Sequence, residues 1–186
     1  MVRGKLQSLK QLKAAYLQQM FPREGERVPR VRFAGFSGDW SERRLGEMTE
    51  NIATGRSVFN SNTEKSDAML YAVLGSTSVI GYDSEYDHSG AFILTARVGA
   101  NAGNLYKYSG NVKISDNTVY IQGKNLDFIY CALLNFDLKT LSFGTGQPLI
   151  KSSELKNLQL KFPCDEEQAA IGQFFRNLDE LIALHS

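Results

Sequence analysis

Apolar residues recur at spacings of three and four near both ends of the chain, and in shorter, strand-like runs through its middle. Near the start, "KLQSLKQLKAAYLQQMF" places Leu6, Leu9, Leu12, Tyr16, Leu17, Met20 and Phe21 on one side of a helix, with Lys and Gln filling the rest, and Pro22 ends it. At the other end, "CDEEQAAIGQFFRNLDELIALHS" sets Ile171, Phe174, Phe175, Leu178, Leu181 and Ile182 on a second stripe. Asp165 is expected to be the N-cap of that helix, with Gln168 three residues on positioned to close a capping box. Glu166 and Glu167 then sit where the helix dipole favours negative charge. The stripe is still running when the sequence stops, so each terminal helix needs a partner. The simplest solution packs one along the other, within one chain or between two copies.

After Pro22, the stretch "PREGERVPRVRFAGFSG" carries two prolines and three glycines among its aromatics, which suits an extended connector lying against a domain. Trp40, in "DWSERRLGEM", is expected as a packing anchor at the start of the globular part. Residues 45–163 then alternate β-rich runs with turn signals: "YAVLGSTSVIGYD", "AFILTARVGANAGNLYKYSG", "NVKISDNTVYIQG" and "LQLKFP". One segment breaks the rhythm, because "NLDFIYCALLNFDLKTL" has helical spacing through Leu126, Ile129, Tyr130, Leu133 and Leu134. The expected fold class is α+β: a globular mixed or antiparallel sheet flanked by N- and C-terminal amphipathic helices. A chain of 186 residues buries one substantial core with helical arms, and no internal repeat divides it.

Composition changes this picture in two places. The net charge of +1 hides a gradient of +6 over residues 1–44, −1 over 45–163 and −4 over 164–186. A basic segment is often only a solvated face, so charge alone gives nucleic acid a modest weight. Apolar runs such as "AFILTA" and "FIYCALL" are too short to cross a bilayer, and the start lacks a signal-peptide core, so a cytoplasmic protein with no membrane partner is expected. Cys131 and Cys164 have no metal-ligand spacing and are read as buried thiols.

Enzyme constellations fail one after another. The two histidines are His88, in the polar run "YDSEYDHSG", and His185, on the last helix. Asp83, Glu85, Asp87 and His88 imitate a metal loop, but their spacing is not that of an EF-hand or a zinc site, and a solvated or structural loop is preferred. No G-x-S-x-G, phosphate-binding loop or dinucleotide fingerprint occurs, so no catalytic residue, metal or cofactor is assigned. "GANAG" at 99–103 is read as a tight turn between strands. "SFGTGQPLI" fits an ordinary turn and an anion-presenting loop equally well. Around these turns lie Arg56, Arg97, Lys107, Lys113, Lys124 and Lys151, the residue types that hold phosphates while Asn and Gln read base edges.

In their order along the chain, "LKAAYLQQMFP", "VRFAGFSGDWSERRLGEM", "GYDSEYDHSGAFILTARVGANAGN", "ISDNTVYI", "GTGQPLI" and "LKNLQLKFPCDEEQAAIGQFFRNLDELIAL" resemble the specificity subunits of type I restriction-modification systems. Members of that family typically carry two target recognition domains, each reading half of a split DNA sequence. Long helices separate the two domains and seat the modification subunits. The resemblance implies a reader in residues 22–163 and two parts of a coiled-coil-like spacer in residues 1–21 and 164–186. It also implies a non-catalytic chain, with adenine methylation supplied by methyltransferase partners and cleavage by a third, ATP-driven restriction subunit. In the family's spacer the last segment normally runs onward into one like the first, so the chain is expected to be a half subunit that pairs with another copy or another half, or a fragment of a longer one. A homodimer would read an interrupted palindrome.

The residues expected to touch double-stranded DNA are Arg56, Ser57, Asn60 and Asn62 in "TGRSVFNSN", Arg97 and Asn101 around "ARVGAN", and Lys107, Thr145, Gln147 and Lys151. The rival from another class is an interaction module that docks methyltransferase subunits without reading DNA on its own.

Overall fold

The computed structural model describes residues 2–58, 63–142 and 148–186. In chain order it contains α1 (Val2–Gln19), β1 (Ser41–Arg44), β2 (Asn51–Thr54), β3 (Tyr71–Leu74), β4 (Val79–Asp83), β5 (His88–Ala96), β6 (Leu105–Ile114), β7 (Thr118–Gln122), α2 (Leu126–Phe136), α3 (Ser152–Asn157), β8 (Gln159–Phe162) and α4 (Asp165–Leu184). These elements form two compact units: Met1–Arg43 with Asp127–Phe136 and Gln159–Ser186, and Arg44–Leu126 with Asp137–Leu158.

In the first unit the two terminal stripes find each other within one chain. Tyr16 meets Phe174 edge-on at 5.1 Å, and Lys13 pairs with Asp179, so residue number rises along α1 as it falls along α4 and the helices are antiparallel. Met20, Ile171, Phe175 and Leu178 are buried, and Leu6, Leu9, Tyr16, Leu17, Phe174 and Ile182 are half-buried. Leu12 and Leu181 stay 45% and 43% exposed, so the pairing leaves part of each stripe uncovered. Below the pair, α2 buries Phe128, Ile129, Cys131, Ala132 and Leu133. The Phe21 ring stacks on Phe128 at 5.5 Å, and Trp40, 2% exposed, lies 5.7 Å from Phe21, which makes it the packing anchor its residue type suggests. Gly172 lets α4 approach α2 closely, since a Cβ there would lie 3.0 Å from the Phe128 amide nitrogen.

The start of α4 departs from expectation. Cys164, not Asp165, is the N-cap, and Asp165 is the first helical residue. No side chain caps in the expected manner. Instead the Gln168 amide donates to Pro163 O at 2.9 Å. Glu167 points inward, where it is 1% exposed and takes a two-pronged hydrogen bond from Arg32 of the connector. Cys164 is exposed, so of the two thiols only Cys131 is buried. The connector has little regular structure and is held by such contacts. Lys161 Nζ, on β8, which pairs with β1 in a two-stranded sheet, donates to Arg23 O at 2.8 Å and Glu26 O at 2.5 Å.

The second unit is built on a six-stranded sheet of order β2-β7-β5-β6-β3-β4, antiparallel except for the β3–β6 pair, so it is mixed as its alternating runs suggest. "YAVLGSTSVIGYD" folds as β3, a turn closed by Gly75 N–H donating to Ser78 O at 2.8 Å, and β4. The sheet is rolled. Leu74 in β3 is the partner of Ile114 in β6, yet the Tyr106 hydroxyl donates to the carbonyl of the next residue, Gly75, at 2.6 Å. A straight β6 would hold Tyr106 and Ile114 about 26 Å apart, far beyond the reach of a phenol. The strand therefore bends, and Gly90 and Gly110, which face each other in the β5–β6 ladder, have φ of +118° and +137°, a region side chains rarely enter. The concave face closes over Leu74, Phe92, Leu94, Val112, Ile114 and Tyr120. Burial there also pushes the Tyr106 phenol well above its ordinary pKa.

Candidate nucleic-acid interface

Rolling the sheet brings four segments to one rim of the second unit, and the turn between β6 and β7 ties them together. Thr118 N–H donates to Ser115 O at 3.1 Å to close that turn, and the two hydroxyls lie 2.9 Å apart. Ser115 N–H donates to Leu74 O (2.9 Å), and Asp116 N–H to Ser57 O (3.1 Å). The Asn117 carbonyl accepts from Arg97 N–H (2.8 Å) and from the Ser76 hydroxyl (3.3 Å). Arg97 in turn accepts from Ile150 N–H at 2.8 Å, beside Lys151. The loop carrying Asn101 is held through Gly99 N–H to Pro148 O at 3.1 Å. Five of the sequence-derived candidates, Arg56, Ser57, Arg97, Asn101 and Lys151, thus line one rim although they come from distant parts of the chain.

Their side chains differ in what they can offer. Arg56, Arg97, Asn101 and Lys151 are exposed. Lys151 makes a 3.7 Å surface ion pair with Glu154, and Asn101 accepts from the Asn104 amide at 3.2 Å. Ser57 is half-buried and donates to Asp87 at 3.0 Å. Lys107, opposite Ile93 on β6, is exposed but is not drawn into the β6–β7 turn. Asn60, Asn62, Thr145 and Gln147 lie outside the described residues, as does most of "SFGTGQ". "GANAG" is a turn, with Gly99 and Gly103 at φ of +85° and +90°.

Nearby polar residues hold the frame. His88 contacts Asp87 Oδ1 at 2.5 Å through Nδ1 and the Tyr120 hydroxyl at 3.1 Å through Nε2, while the Asn51 amide donates to the same hydroxyl at 3.2 Å. His88 is therefore a structural residue of the sheet. Ser57 meets a carboxylate rather than an imidazole, so Ser57, Asp87 and His88 lack the nucleophile–base contact that covalent catalysis needs. Lys113 is occupied too. It donates to Asp83 at 3.0 Å, and this hydrogen bond is the main cause holding the Asp83 carboxyl below its usual range. Among the described residues no group of three or more His, Cys, Asp or Glu side chains gathers to hold a metal, and no helix is long and apolar enough to cross a membrane.

Exposed cations interleaved with carboxamides suit a surface that grips phosphates by charge and offers donors and acceptors to base edges. Sequence reasoning missed Ser76, Asp116 and Asn117, which complete this rim. "SDNT" between two strands reads as a turn, but nothing local shows that the turn lands between Ser57 and Arg97.

Comparison with known proteins gives one consistent result. The family model described as the type I restriction modification DNA specificity domain matches residues 37–186. The chain is 27% identical over 141 residues to the Escherichia coli type I restriction enzyme EcoprrI specificity subunit, a match covering 74% of this chain and 35% of that protein. Among solved structures it resembles the type I restriction-modification S subunit from M. genitalium, with a TM-score of 0.75 at 16% identity, over 99% of this chain and 50% of the other. It also resembles the HsdS subunit from Thermoanaerobacter tengcongensis, with a TM-score of 0.64 at 16% identity, over 99% and 46%. The chain spans about a third of the curated relative and about half of each of these structures.

Proposed function

Because this chain belongs to the family of the type I restriction modification DNA specificity domain, we propose that it is a sequence-specific DNA recognition subunit, or half subunit, of a type I restriction-modification complex. The observation that carries the reading is the rim on which Arg56, Ser57, Arg97, Asn101 and Lys151 converge. In this reading double-stranded DNA lies along the rim. Arg56, Arg97 and Lys151 hold phosphates there, Ser57, Asn60, Asn62, Asn101, Thr145 and Gln147 offer groups to the grooves, and Lys107 adds a phosphate contact away from the β6–β7 turn. Exposed cations on the rim favour this over a docking-only module.

Chemistry is left to partners. Modification subunits methylate adenine, which requires the base to leave the stack, and a restriction subunit cleaves, while this chain supplies the address without a cofactor of its own. The paired helices α1 and α4 act as the spacer that seats those subunits in the cytoplasm. Their uncovered leucines, Leu12, Leu181 and the 82% exposed Leu184, are the contact for a second copy or another half subunit. Since residues 45–163 are near neutral, the chain alone binds weakly and the partners add phosphate contacts. The test is to map methylated adenines in cells expressing the chain with its modification subunit, alongside mobility shifts of the same complex on genomic and random probes. A split motif that disappears when this chain is omitted supports the proposal. Sequence-independent methylation, or a motif unchanged without the chain, sinks it.

A further inference from the structure

The β6–β7 turn has its backbone committed and its side chains free. Ser115, Asp116 and Asn117 spend main-chain groups on Leu74, Ser57, Arg97 and Ser76, four contacts to three separate segments. Asp and Asn at the centre of a turn ordinarily fold back to bond their own main chain. Here Asp116 and Asn117 are exposed, and among the described residues neither side chain has a partner. Neither has a positive φ, so the turn does not demand these residue types on backbone grounds. A turn this firmly stapled, presenting an unused carboxamide and carboxylate between the exposed cations Arg56 and Arg97, has the form of a reading head.

We propose that the Asp116–Asn117 turn is the base-reading element of this rim, with Asn117 taking the major-groove edge of an adenine and Asp116 accepting from the amino group of a neighbouring base. A carboxamide offers one donor and one acceptor, which matches the acceptor N7 and donor N6 of adenine, while a carboxylate matches the N4 amino group of cytosine. Fixing the backbone lowers the ordering cost on binding, so the two side chains discriminate rather than merely adhere. Arg56 and Arg97 on either side hold the phosphates against which a bare carboxylate would otherwise be repelled. This inference rests on the reading of the chain as a DNA recognition subunit.

The experiment uses the full chain co-expressed with its modification subunit and a randomised DNA library, with methylated adenines read by sequencing. Asn117→Ala and Asn117→Ser, the second keeping a good turn residue, are expected to relax preference at one base pair by about ten-fold and leave the rest of the motif intact. Asp116→Ala is expected to relax a different, adjacent position. A selective wild type with an unmoved motif in these variants, or a uniform drop on all sequences, overturns the assignment of the turn alone. A wild-type complex that methylates without preference overturns the underlying reading and this one with it.

Discussion

The ion pair between Arg32 and Glu167 gives the sharpest stability test. Arg32 Nε donates to Glu167 Oε1 at 2.8 Å and Nη2 to Oε2 at 2.7 Å, with side chains only 14% and 1% exposed. The guanidinium also donates to Gly38 O at 2.7 Å and Ser37 O at 3.1 Å, so one side chain closes the connector onto the first turn of α4. Removing either partner strands the other charge away from water, which costs about 3–5 kcal/mol. For a chain of this length unfolding as one that corresponds to a fall of roughly 6–20 °C in the thermal midpoint. Replacing both, as Arg32→Met with Glu167→Leu, removes the stranded charge along with the pair and should recover most of the loss. Urea and thermal unfolding of Arg32→Ala, Glu167→Ala and the apolar double variant form the assay, with coupling of about 2 kcal/mol or more expected between the sites. Single variants that cost under about 1 kcal/mol, or a double variant as damaged as the sum of the singles, would refute the account of this pair as a desolvated lock.

Gly110→Ala should destabilise the sheet by about 1–3 kcal/mol, because a Cβ has room there but φ of +137° is strained for any side chain; hydrogen exchange at Gly75, Ser115 and Asp116, whose amides are bonded around the rim, should quicken, and unchanged exchange would mean the bend does not need that glycine. Gly172→Ala sets overpacking of about 1–3 kcal/mol against a gain in helix propensity of about 1 kcal/mol, and since its Cβ would press on the Phe128 backbone at 3.0 Å, a net loss in melting temperature is expected. The Asp83 carboxyl titrates below its ordinary value, chiefly through the Lys113 hydrogen bond, so its contribution is present above the unfolded value and is lost as pH falls through the folded one. Lys113→Met should move that carboxyl upward in an NMR titration and flatten the acid-side loss of stability, by no more than a few tenths of a kcal/mol for so accessible a pair.

What could be read from the sequence was what short-range pattern controls. The stripe Ile171, Phe174, Phe175, Leu178 repeats every three or four residues and became α4, and "YAVLGSTSVIGYD" broke at its Gly-Ser turn into two strands. The helix Leu126–Phe136 stood out among strands for the same reason. Long-range features were invisible. Glu167 looked like a solvated acid favoured by the helix dipole, and only its tertiary partner, 135 residues away, makes it a buried ion. The candidate site divides likewise. Arg56, Arg97 and Lys151 were found one by one as cations in turns, but their convergence depends on long-range pairing of β7 with β2 and β5, and Asp116 and Asn117 acquire meaning only beside them.

The charge gradient illustrates the same division. A +6 segment at one end and a −4 segment at the other suggest, from sequence, a basic arm for an anionic partner. The folded chain uses much of that asymmetry on itself. Lys13 meets Asp179 and Arg32 meets Glu167 across the two ends, while Arg30 and Arg27 pair locally with Glu26 and Asp39 at 3.3 and 3.8 Å. Lys161 turns its ammonium onto main-chain carbonyls, and Lys113 is matched by Asp83. Cations already bonded within the fold release few counterions on meeting DNA. Arg56 and Arg97, in the nearly neutral middle, form no ion pair among the described residues and stand exposed around the Asp116–Asn117 turn. The electrostatic signal for a nucleic-acid partner therefore lies where the sequence looked neutral, and the strongly charged ends serve chiefly to clasp the first unit together.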